Sequence, residues 1–242
     1  MKTKLAITIP VLNEEETIVS KVEEVVNFFN LNNICDYIII IGDNGSTDNT
    51  ENLSKSLEQK YDFIKYLKIS RKGVGLALRE SWLKYEADIV GYMDLDLATD
   101  LKHIFEVLKL FENEDTKIVV GSRLLKSSKV SNRKPIREIT SRGFNFLVKR
   151  ILKVKFTDGM CGFKFFRREI AVSLIKKGIE TDGWIFATEI LAKAEWSGIK
   201  IKEVAVNWKD DPNSKVKILS LSWAYFKHLI SLRKERKDWL KK

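Results

Sequence analysis

The chain has little cysteine, proline or histidine for its 242 residues: two, three and two of each. Cys35 and Cys161 lie far apart and lack the spacing of a zinc site or a disulfide framework. No apolar run approaches the roughly 20 residues that cross a bilayer. The first residues pass directly into a strand-like segment and leave no room for a signal peptide. These absences predict a reduced, cytoplasmic protein that is not integral to a membrane.

Charge of one sign dominates part of the chain. Lys and Arg total 43 against 33 Asp and Glu, a formal net charge of +10 at pH 7. Between Arg123 and Arg168, fourteen basic residues accompany only Glu138 and Asp158. This basic region predicts an anionic partner. Because the chain has no recognised nucleic-acid motif, and acidic residues follow its strands, we expect that partner not to be a nucleic acid.

Apolar, β-branched segments alternate with segments of helical period. The predicted strands cover residues 5–9, 37–41, 63–69, 89–93, 118–121 and 199–206, and the predicted helices residues 15–29, 49–57, 75–85, 101–111, 136–152 and 184–196. Repeated β-α units predict a Rossmann-like α/β fold, with a mostly parallel central sheet and helices on both faces. We expect a domain at residues 1–217 and a C-terminal helix at residues 218–242.

Ligands of such sheets bind beyond the carboxyl ends of the strands. The residues there are polar, charged or glycine-bearing, namely 10–14, 42–46, 71–75, 94–96 and 122–123. Asp43 could accept hydrogen bonds from a base, or the loop after it could be a plain turn and helix cap. Lys72 stands beside Gly73 and Gly75, which would let the backbone approach a ligand, or form an ordinary glycine-rich turn.

Asp94, Leu95 and Asp96 end a predicted buried strand. Alternation along an extended chain sends both carboxylates to the same side, where they could share Mg²⁺ or Mn²⁺ with a diphosphate. The metal would neutralise charge on a departing nucleotide diphosphate. The alternative is a pair of solvated turn aspartates or a helix cap. Asp100 suits the capping role better, before the helix predicted from Leu101.

Taken together, these motifs resemble the family 2 glycosyltransferases with the GT-A fold. The resemblance rests on residues 10–14 (PVLNE), 43–46 (DNGS), the glycine pair after Lys72, 94–96 (DLD) and 121–123 (GSR). Further along, residues 158–164 (DGMCGFK), 184–189 (WIFATE) and 203–208 (EVAVNW) resemble the dolichyl-phosphate glucosyltransferases and mannosyltransferases. The glucosyl branch is closer through the CGFK segment.

This resemblance implies an inverting enzyme that transfers a hexose from UDP-glucose or GDP-mannose to a polyprenyl or dolichyl phosphate. The implied donor contacts are Pro10, Leu12, Asn13, Glu14, Asp43, Lys72, Asp94, Leu95 and Asp96, with Asp94 and Asp96 holding the metal. Asp94, Asp96 and Arg123 are the implied catalytic residues. The expected phosphate contacts of the acceptor are Arg123, Arg137, Arg142 and Lys215, and Asp158 and Glu189 are candidates for a base or a sugar contact.

Three residues depart from the family pattern. Ala187 stands where the glucosyl branch usually has aspartate, Ala205 replaces a usual proline, and residues 97–99 lack the glutamine typical of the mannosyl branch. The sugar therefore stays open at this stage. Two other functions also stay open: transfer to a soluble or glycan hydroxyl, with a carboxylate as general base, and a degenerate scaffold without activity.

The C-terminal helix carries aromatic and aliphatic residues among many cations, which is typical of a helix that lies in a membrane interface. We expect peripheral docking on the cytoplasmic face of a membrane through this membrane-associating segment and the basic region. The alternative is a helix that packs its apolar side on the domain and leaves its charges in water.

Overall fold

The computed structural model describes residues 3–69, 71–133, 135–210 and 218–241, with the backbone alone at 218–224. The strands are β1 Leu5–Val11, β2 Tyr37–Asp43, β3 Ile64–Lys68, β4 Ile89–Met93, β5 Ile118–Ser122, β6 Lys129–Ser131, β7 Phe163–Arg167, β8 Ile201–Ala205 and β9 Asn207–Lys209. The helices are α1 Ile18–Leu31, α2 Thr50–Lys60, α3 Val74–Lys84, α4 His103–Phe111, α5 Pro135–Leu152, α6 Arg168–Lys176, α7 Phe186–Trp196 and α8 Ile218–Trp239. Lys215 lies outside the described residues.

The central sheet has seven strands in the order β3-β2-β1-β4-β7-β5-β8. All its neighbouring pairs are parallel except the two that involve β7. Every residue of β1, β4 and β5 is buried, which is what a strand covered by helices on both faces requires. The predicted α/β fold with a mostly parallel sheet is thus confirmed.

Strand β7 was not predicted. It runs antiparallel between β4 and β5, with Tyr92 opposite Lys164 and Phe165 opposite both Gly91 and Val119. Its first four residues are buried, so the segment shows no alternation of apolar and polar residues. A continuous apolar run interrupted by lysine gives no period-2 signal, and only the tertiary structure identifies it as a central strand.

The core lies on both faces of the sheet, in two clusters of buried apolar side chains. One cluster packs α1 and α4 against the sheet, and the other packs α3, α5, α6 and α7. A second sheet of two short parallel strands, β6 and β9, lies beside the carboxyl end of β5. In the described part of the chain, no helix has both the length and the apolar content needed to cross a lipid bilayer.

Helix α8 packs on the domain along its described side chains. Leu229 and Leu232 are almost fully buried, and Trp239 is 4% exposed. The Trp239 indole N–H is shared between the Lys193 carbonyl at 3.1 Å and the Ser197 hydroxyl at 3.0 Å. This agrees with the alternative considered for the tail, since Leu229, Leu232 and Trp239 pack on the domain. The C-terminal membrane-associating segment is therefore not confirmed.

Candidate active site

The carboxyl end of β4 presents Asp94 and Asp96 to a small cleft. The cleft is lined by Met93, Asp94, Asp96, Leu97, Ala98, Thr99 and Gly162. The Asp96 carboxylate accepts the backbone N–H of Ala98 at 3.0 Å, and Leu97 adopts a left-handed conformation with φ 52°. Leu95 points into the core, where it is 7% exposed. The chain turns sharply beyond β4, so both carboxylates stay at the strand end.

Asp94 is a half-buried residue whose carboxylate has unused hydrogen-bonding capacity. Its Oδ1 atom is buried and has no hydrogen-bond partner within the described residues. Burial, and to a lesser extent the charge of Asp96, raises the pKa of Asp94 to about 7, against the opposing charges of Lys164 and Arg123. An ionised carboxylate in such a place is costly unless a cation compensates it. This corner of the cleft therefore fits a divalent metal.

Gly162 makes room for the Asp94 side chain. The Asp94 N–H donates to the Gly162 carbonyl at 3.3 Å, across the pairing of β4 with β7. A Cβ atom at Gly162 would overlap the Asp94 carboxylate. The glycine of the CGFK segment is thus explained by close packing against Asp94.

Arg123 and Asp158 form a buried ion pair at the carboxyl end of β5. Arg123 donates through Nε at 2.7 Å and through an Nη at 2.9 Å to the two oxygens of Asp158, a bidentate pairing. The backbone N–H groups of Arg123 and Met160 also donate to that carboxylate. Burial favours the neutral acid, but the Arg123 charge and hydrogen bonds hold the pKa of Asp158 well below its usual range.

The surroundings of Asp158 do not favour its candidate role as a base. A carboxylate with so low a pKa and no exposed surface is a poor proton acceptor. Its observed contacts instead orient Arg123, whose guanidinium also lies 5.2 Å from the ring of Trp208. Asp158 therefore acts as the partner of the predicted phosphate-binding arginine.

Lys164 is a residue of the site that sequence reasoning missed. It is fully buried on β7, its Nζ donates to the Cys161 carbonyl, and it lies 5.7 Å from the ring of Tyr92. Burial lowers the pKa of Lys164, while Asp158 and Asp94 oppose that shift. A lone lysine within an apolar strand was the available signal, since lysine is rarely buried without a charged neighbour.

The loops after β1 and β2 are joined by hydrogen bonds. The Asn13 side chain accepts the backbone N–H of Thr47 at 2.8 Å, and the Asn13 N–H donates to the Ser46 hydroxyl at 3.0 Å. Asn13 is left-handed, with φ 55°, a conformation that asparagine tolerates better than most residues. The Glu14 N–H donates to the Thr50 hydroxyl at 2.8 Å. Two of the predicted donor contacts thus shape the loop pair.

Pro10 and Leu12 lie beside the hydrogen-bonded loops after β1 and β2. Pro10 is buried near the end of β1, beyond Thr8, where the pairing of β1 with β4 ends. The missing backbone N–H of Pro10 therefore removes no hydrogen bond to β4. Leu12 is half-buried in the loop that follows.

Asp43 ends β2 and is 1% exposed. One of its oxygens accepts the backbone N–H groups of Gly45 and Ser46, and the other accepts the Tyr66 hydroxyl at 2.9 Å. Burial, followed by this hydrogen bond, raises the pKa of Tyr66 well above its ordinary value. These contacts confirm the turn interpretation of Asp43. A hydrogen bond from a nucleoside base would use the acceptor capacity that remains on the two carboxylate oxygens of Asp43.

The glycines after Lys72 have little free space beside them, which favours the alternative of an ordinary glycine-rich turn. A Cβ at Gly73 would meet the Asp182 carbonyl oxygen at 2.6 Å, and one at Gly75 would meet the Thr181 carbonyl oxygen at 2.5 Å. The close approach is thus to the chain's own residues 181–183. Lys72 is exposed, and the neighbouring Arg71 pairs with Asp182 at 2.7 Å.

The predicted acceptor cations are dispersed. Arg137 on α5 donates at 2.6 Å to Asp210, which is 4% exposed. Arg142 is exposed and donates to Glu138 one turn earlier. Of this group, Arg123 is the cation whose charge acts on Asp94 at the cleft.

Glu189 lies in the interior of α7. It is 2% exposed, and one oxygen accepts Lys193 Nζ at 2.5 Å, while Lys193 also reaches Glu235 of α8 at 3.3 Å. A carboxylate in a buried pair within a helix has no route to a reacting hydroxyl. The expectation of a base or sugar contact at Glu189 is therefore not supported.

The fold and the cleft define a Rossmann-like α/β protein with an acidic ligand site beyond the carboxyl ends of its parallel strands. The chain belongs to the glycosyl transferase family 2, whose model matches residues 6–174. It is an enzyme of that family, as the sequence predicted.

Relatives with assigned names fall in the same family. The chain is 32% identical over 241 residues to a dolichyl-phosphate beta-glucosyltransferase of Dictyostelium discoideum, covering 95% of this chain and 73% of the relative. It is 29% identical over 218 residues to the glycosyltransferase AglD of Haloferax volcanii, covering 89% of this chain. The chain spans 35% of AglD's length.

Solved structures show the same GT-A-like fold. Glucosyl-3-phosphoglycerate synthase from Mycobacterium tuberculosis, in complex with Mn²⁺, UDP-glucose and phosphoglyceric acid, superimposes with a TM-score of 0.68 at 19% identity, covering 97% of this chain and 79% of that one. Mannosyl-3-phosphoglycerate synthase from Rubrobacter xylanophilus gives 0.68 at 18% identity, covering 98% and 75%. At these identities the likeness concerns the fold alone.

Proposed function

We propose that this chain transfers glucose from UDP-glucose to a polyprenyl or dolichyl phosphate, with inversion at the anomeric carbon. The observation that carries the proposal is the buried, unpartnered oxygen of Asp94 beside Asp96, in a chain whose relatives are named dolichyl-phosphate beta-glucosyltransferases. GDP-mannose is the alternative donor. UDP-glucose is favoured by the names of those relatives and by the ligands of the similar structure.

Asp94 and Asp96 would hold Mg²⁺ or Mn²⁺, with diphosphate oxygens completing the coordination. Bound there, the metal supplies charge neutralisation for the leaving nucleotide diphosphate. Two carboxylates suit such a shared site, and the described residues contain no cluster of three or more metal-ligating side chains. The loop pair of Asn13 and Glu14, with Asp43, would border the nucleoside. Lys72 would approach as a flexible cation.

The acceptor phosphate needs no general base because it is already an anion. The chain's task is to hold that phosphate in line with the anomeric carbon and partly exclude water. Arg123 suits this task, since its bidentate pairing with Asp158 fixes the guanidinium before any ligand binds.

Transfer to a hydroxyl acceptor is the second candidate, suggested by the structural likeness to enzymes that are not lipid transferases. That reaction needs a carboxylate able to accept a proton. Asp158 and Glu189 are both buried and paired with cations. The phosphate acceptor, which needs no base, fits these two residues better.

The proposed location is the cytoplasmic face of a membrane, with peripheral attachment. A polyprenyl phosphate carries its phosphate at the bilayer surface, so an enzyme that takes it as acceptor must work there. The basic region between Arg123 and Arg168 would be attracted to anionic headgroups.

Isothermal titration calorimetry with UDP-glucose and with GDP-mannose, in Mn²⁺ and in chelator, tests the donor site. We expect metal-dependent binding of UDP-glucose that Asp96→Ala abolishes and that Asp62→Ala, an exposed aspartate before β3, leaves unchanged. A transfer assay with a polyprenyl phosphate and with soluble hydroxyl acceptors then tests the acceptor. Binding of neither donor, or transfer to hydroxyls alone, would contradict the proposal.

A further inference from the structure

Helix α5 exposes more apolar side chains than any other described helix. Ile136 is 63% exposed, Ile139 66%, Phe146 58% and Leu147 43%. Each other helix of the described residues has at most one exposed large apolar side chain. Scattered single residues of this kind need no explanation, but four on one helix do.

The four side chains form one stripe that faces away from the domain. At about 100° per residue they fall within roughly a third of the helix circumference. The opposite side carries Asn145, Val148 and Leu152, which are all buried. Phe144, on the side between, packs edge-on against Tyr225 of α8 at 5.8 Å between ring centroids. The stripe is therefore not covered by α8.

Cations flank this stripe. Between residues 135 and 155 the basic residues are Arg137, Arg142, Lys149, Arg150, Lys153 and Lys155, against the single acid Glu138. The Arg150 guanidinium lies 5.3 Å from the Phe146 ring, at the edge of the stripe. An apolar stripe with cationic flanks is complementary to the headgroup region of an anionic bilayer.

A second copy of this chain fits the surface less well. Two identical stripes facing each other would bring their cationic flanks together. Four side chains also fall short of the roughly 800 Å² per partner that a stable protein interface buries. The C-terminal helix is the other candidate for membrane contact, but Leu229, Leu232 and Trp239 are already buried on the domain.

We propose that the apolar stripe of α5 inserts into the surface of an anionic lipid bilayer and is the membrane-docking surface of this chain. The inference deepens the proposed function, on which it rests for the lipid acceptor. The buried side of α5 reaches the site, because the Asn145 side chain accepts the Gly159 N–H at 3.0 Å, next to Asp158. A docked α5 thus holds the Arg123–Asp158 end of the cleft near the lipid headgroups.

Co-sedimentation with vesicles tests the docking. The full chain is mixed with phosphatidylcholine vesicles and with vesicles of phosphatidylcholine and phosphatidylserine. We expect binding to the anionic vesicles that weakens with salt, and a loss of at least tenfold in the triple variant Ile136→Ser, Ile139→Ser, Phe146→Ser. Each lost side chain removes apolar area that the bilayer would bury. The triple leucine variant at the same positions should bind like the original chain.

A control pair, Leu31→Ser with Leu240→Ser, removes exposed apolar residues of other regions and should leave binding unchanged. Circular dichroism confirms that the variants fold. Equal vesicle binding by the triple serine variant would overturn the proposal. So would a loss of binding in the control pair, or a dimer in solution that the triple serine variant dissociates.

Failure of the docking surface and failure of the proposed function give different results. Transfer to a short-chain polyprenyl phosphate in detergent should persist in the triple serine variant, because its donor site is intact, while transfer in vesicles falls. If neither the original chain nor any variant transfers glucose to the polyprenyl phosphate, in detergent or in vesicles, the proposed function fails. The vesicle-binding data still decide whether α5 docks. If transfer occurs but vesicle binding does not depend on α5, only the docking proposal fails.

Discussion

The end of β4 and the loop before β7 each carry an aspartate with at least one buried carboxylate oxygen, and the two have opposite surroundings. Asp94 has an oxygen without a partner in the described structure and a pKa raised to about 7. Asp158 receives four hydrogen bonds, two of them from the Arg123 side chain, and its pKa is held well below the usual range. One carboxylate is left for a ligand, and the other is used by the protein itself.

This difference shows that, within one cleft, one carboxylate is left for ligand binding while the other stabilises an arginine of the protein itself. A buried carboxylate is stable as an anion only where charge or hydrogen bonds compensate it. Compensation by the fold, as at Asp158, yields a rigid arginine for a phosphate. Compensation by a metal, as proposed for Asp94, would complete the charge balance of the site only on binding.

The largest expected effect concerns Asp158→Asn. The substitution leaves the Arg123 guanidinium buried without its anion, which should lower the free energy of unfolding by about 3–5 kcal/mol. Urea denaturation measures it. Lys21→Gln, which breaks the exposed pair of Lys21 with Glu24, is the control and should cost under about 1 kcal/mol. Equal losses of unfolding free energy in Asp158→Asn and Lys21→Gln would mean that the buried pair of Asp158 is no more important than an exposed one. The contrast between Asp158 and Asp94 would then be removed.

Gly162→Ala should disturb the Asp94 side of the comparison. The added Cβ overlaps the Asp94 carboxylate, so β4 and β7 must shift, at about 1–3 kcal/mol of unfolding free energy. Metal-dependent donor binding should weaken in the same variant. Gly143→Ala on α5 is the matched control, because a Cβ there meets no heavy atom within 4 Å. It should raise stability by up to about 1 kcal/mol.

Asp94→Asn separates binding from stability. We expect Mn²⁺-dependent binding of UDP-glucose to fall at least about tenfold, equivalent to about 1.4 kcal/mol, because a metal ligand is lost. The unfolding free energy in chelator should be unchanged or higher, since the variant removes an uncompensated buried carboxylate. Calorimetry and denaturation measure the two quantities. A large loss of stability would place Asp94 in the same class as Asp158.

A dependence of stability on pH is also expected. The folded pKa of Asp94 is raised to about 7 from the ordinary 3.8, so between those values the folded state binds more protons than the unfolded state. The free energy of unfolding contributed by Asp94 therefore falls as pH rises through this window. Comparing the original chain with Asp94→Asn in chelator isolates that slope.

Asp158 has the opposite sign. Its folded pKa is lowered, so its stabilisation is complete above the ordinary 3.8 and is lost as pH falls below that value. Acid denaturation of the original chain should therefore be steep at low pH. A flat profile between about pH 4 and pH 7 that does not change in Asp94→Asn would contradict the assignment of a raised pKa to Asp94.

Local sequence patterns identified most of the sheet. Strand β4 was predicted at the residues where it occurs, and helix α5 within one residue, because β-branched runs and helical period are local signals. The metal-site aspartates followed from the position of Asp94 and Asp96 at a strand end. Strand β7 and Lys164 were missed, since a fully buried strand has no alternation to detect.

The interpretation of individual charges and glycines was less secure. In the sequence Asp158 resembles a general base, but in the structure Arg123 pairs with it. Gly73 resembles part of a ligand-binding loop, but residues 181–183 fill the space beside it. Both interpretations depend on a partner that lies at least 35 residues away along the chain, as for Arg123 and Asp158. The tail, likewise, was amphipathic in sequence and packed on α7 in the structure.

The sequence by itself determined the α/β architecture, the strand ends that form the site, and membership of the glycosyltransferase family, because periodicity and short motifs are properties of neighbouring residues. Only the tertiary structure decided which charges are left for ligands, which glycines pack against the chain, and which helix exposes its apolar face. Those properties depend on burial and on partners distant in sequence. The same residue types, Asp94 and Asp158, therefore take different roles.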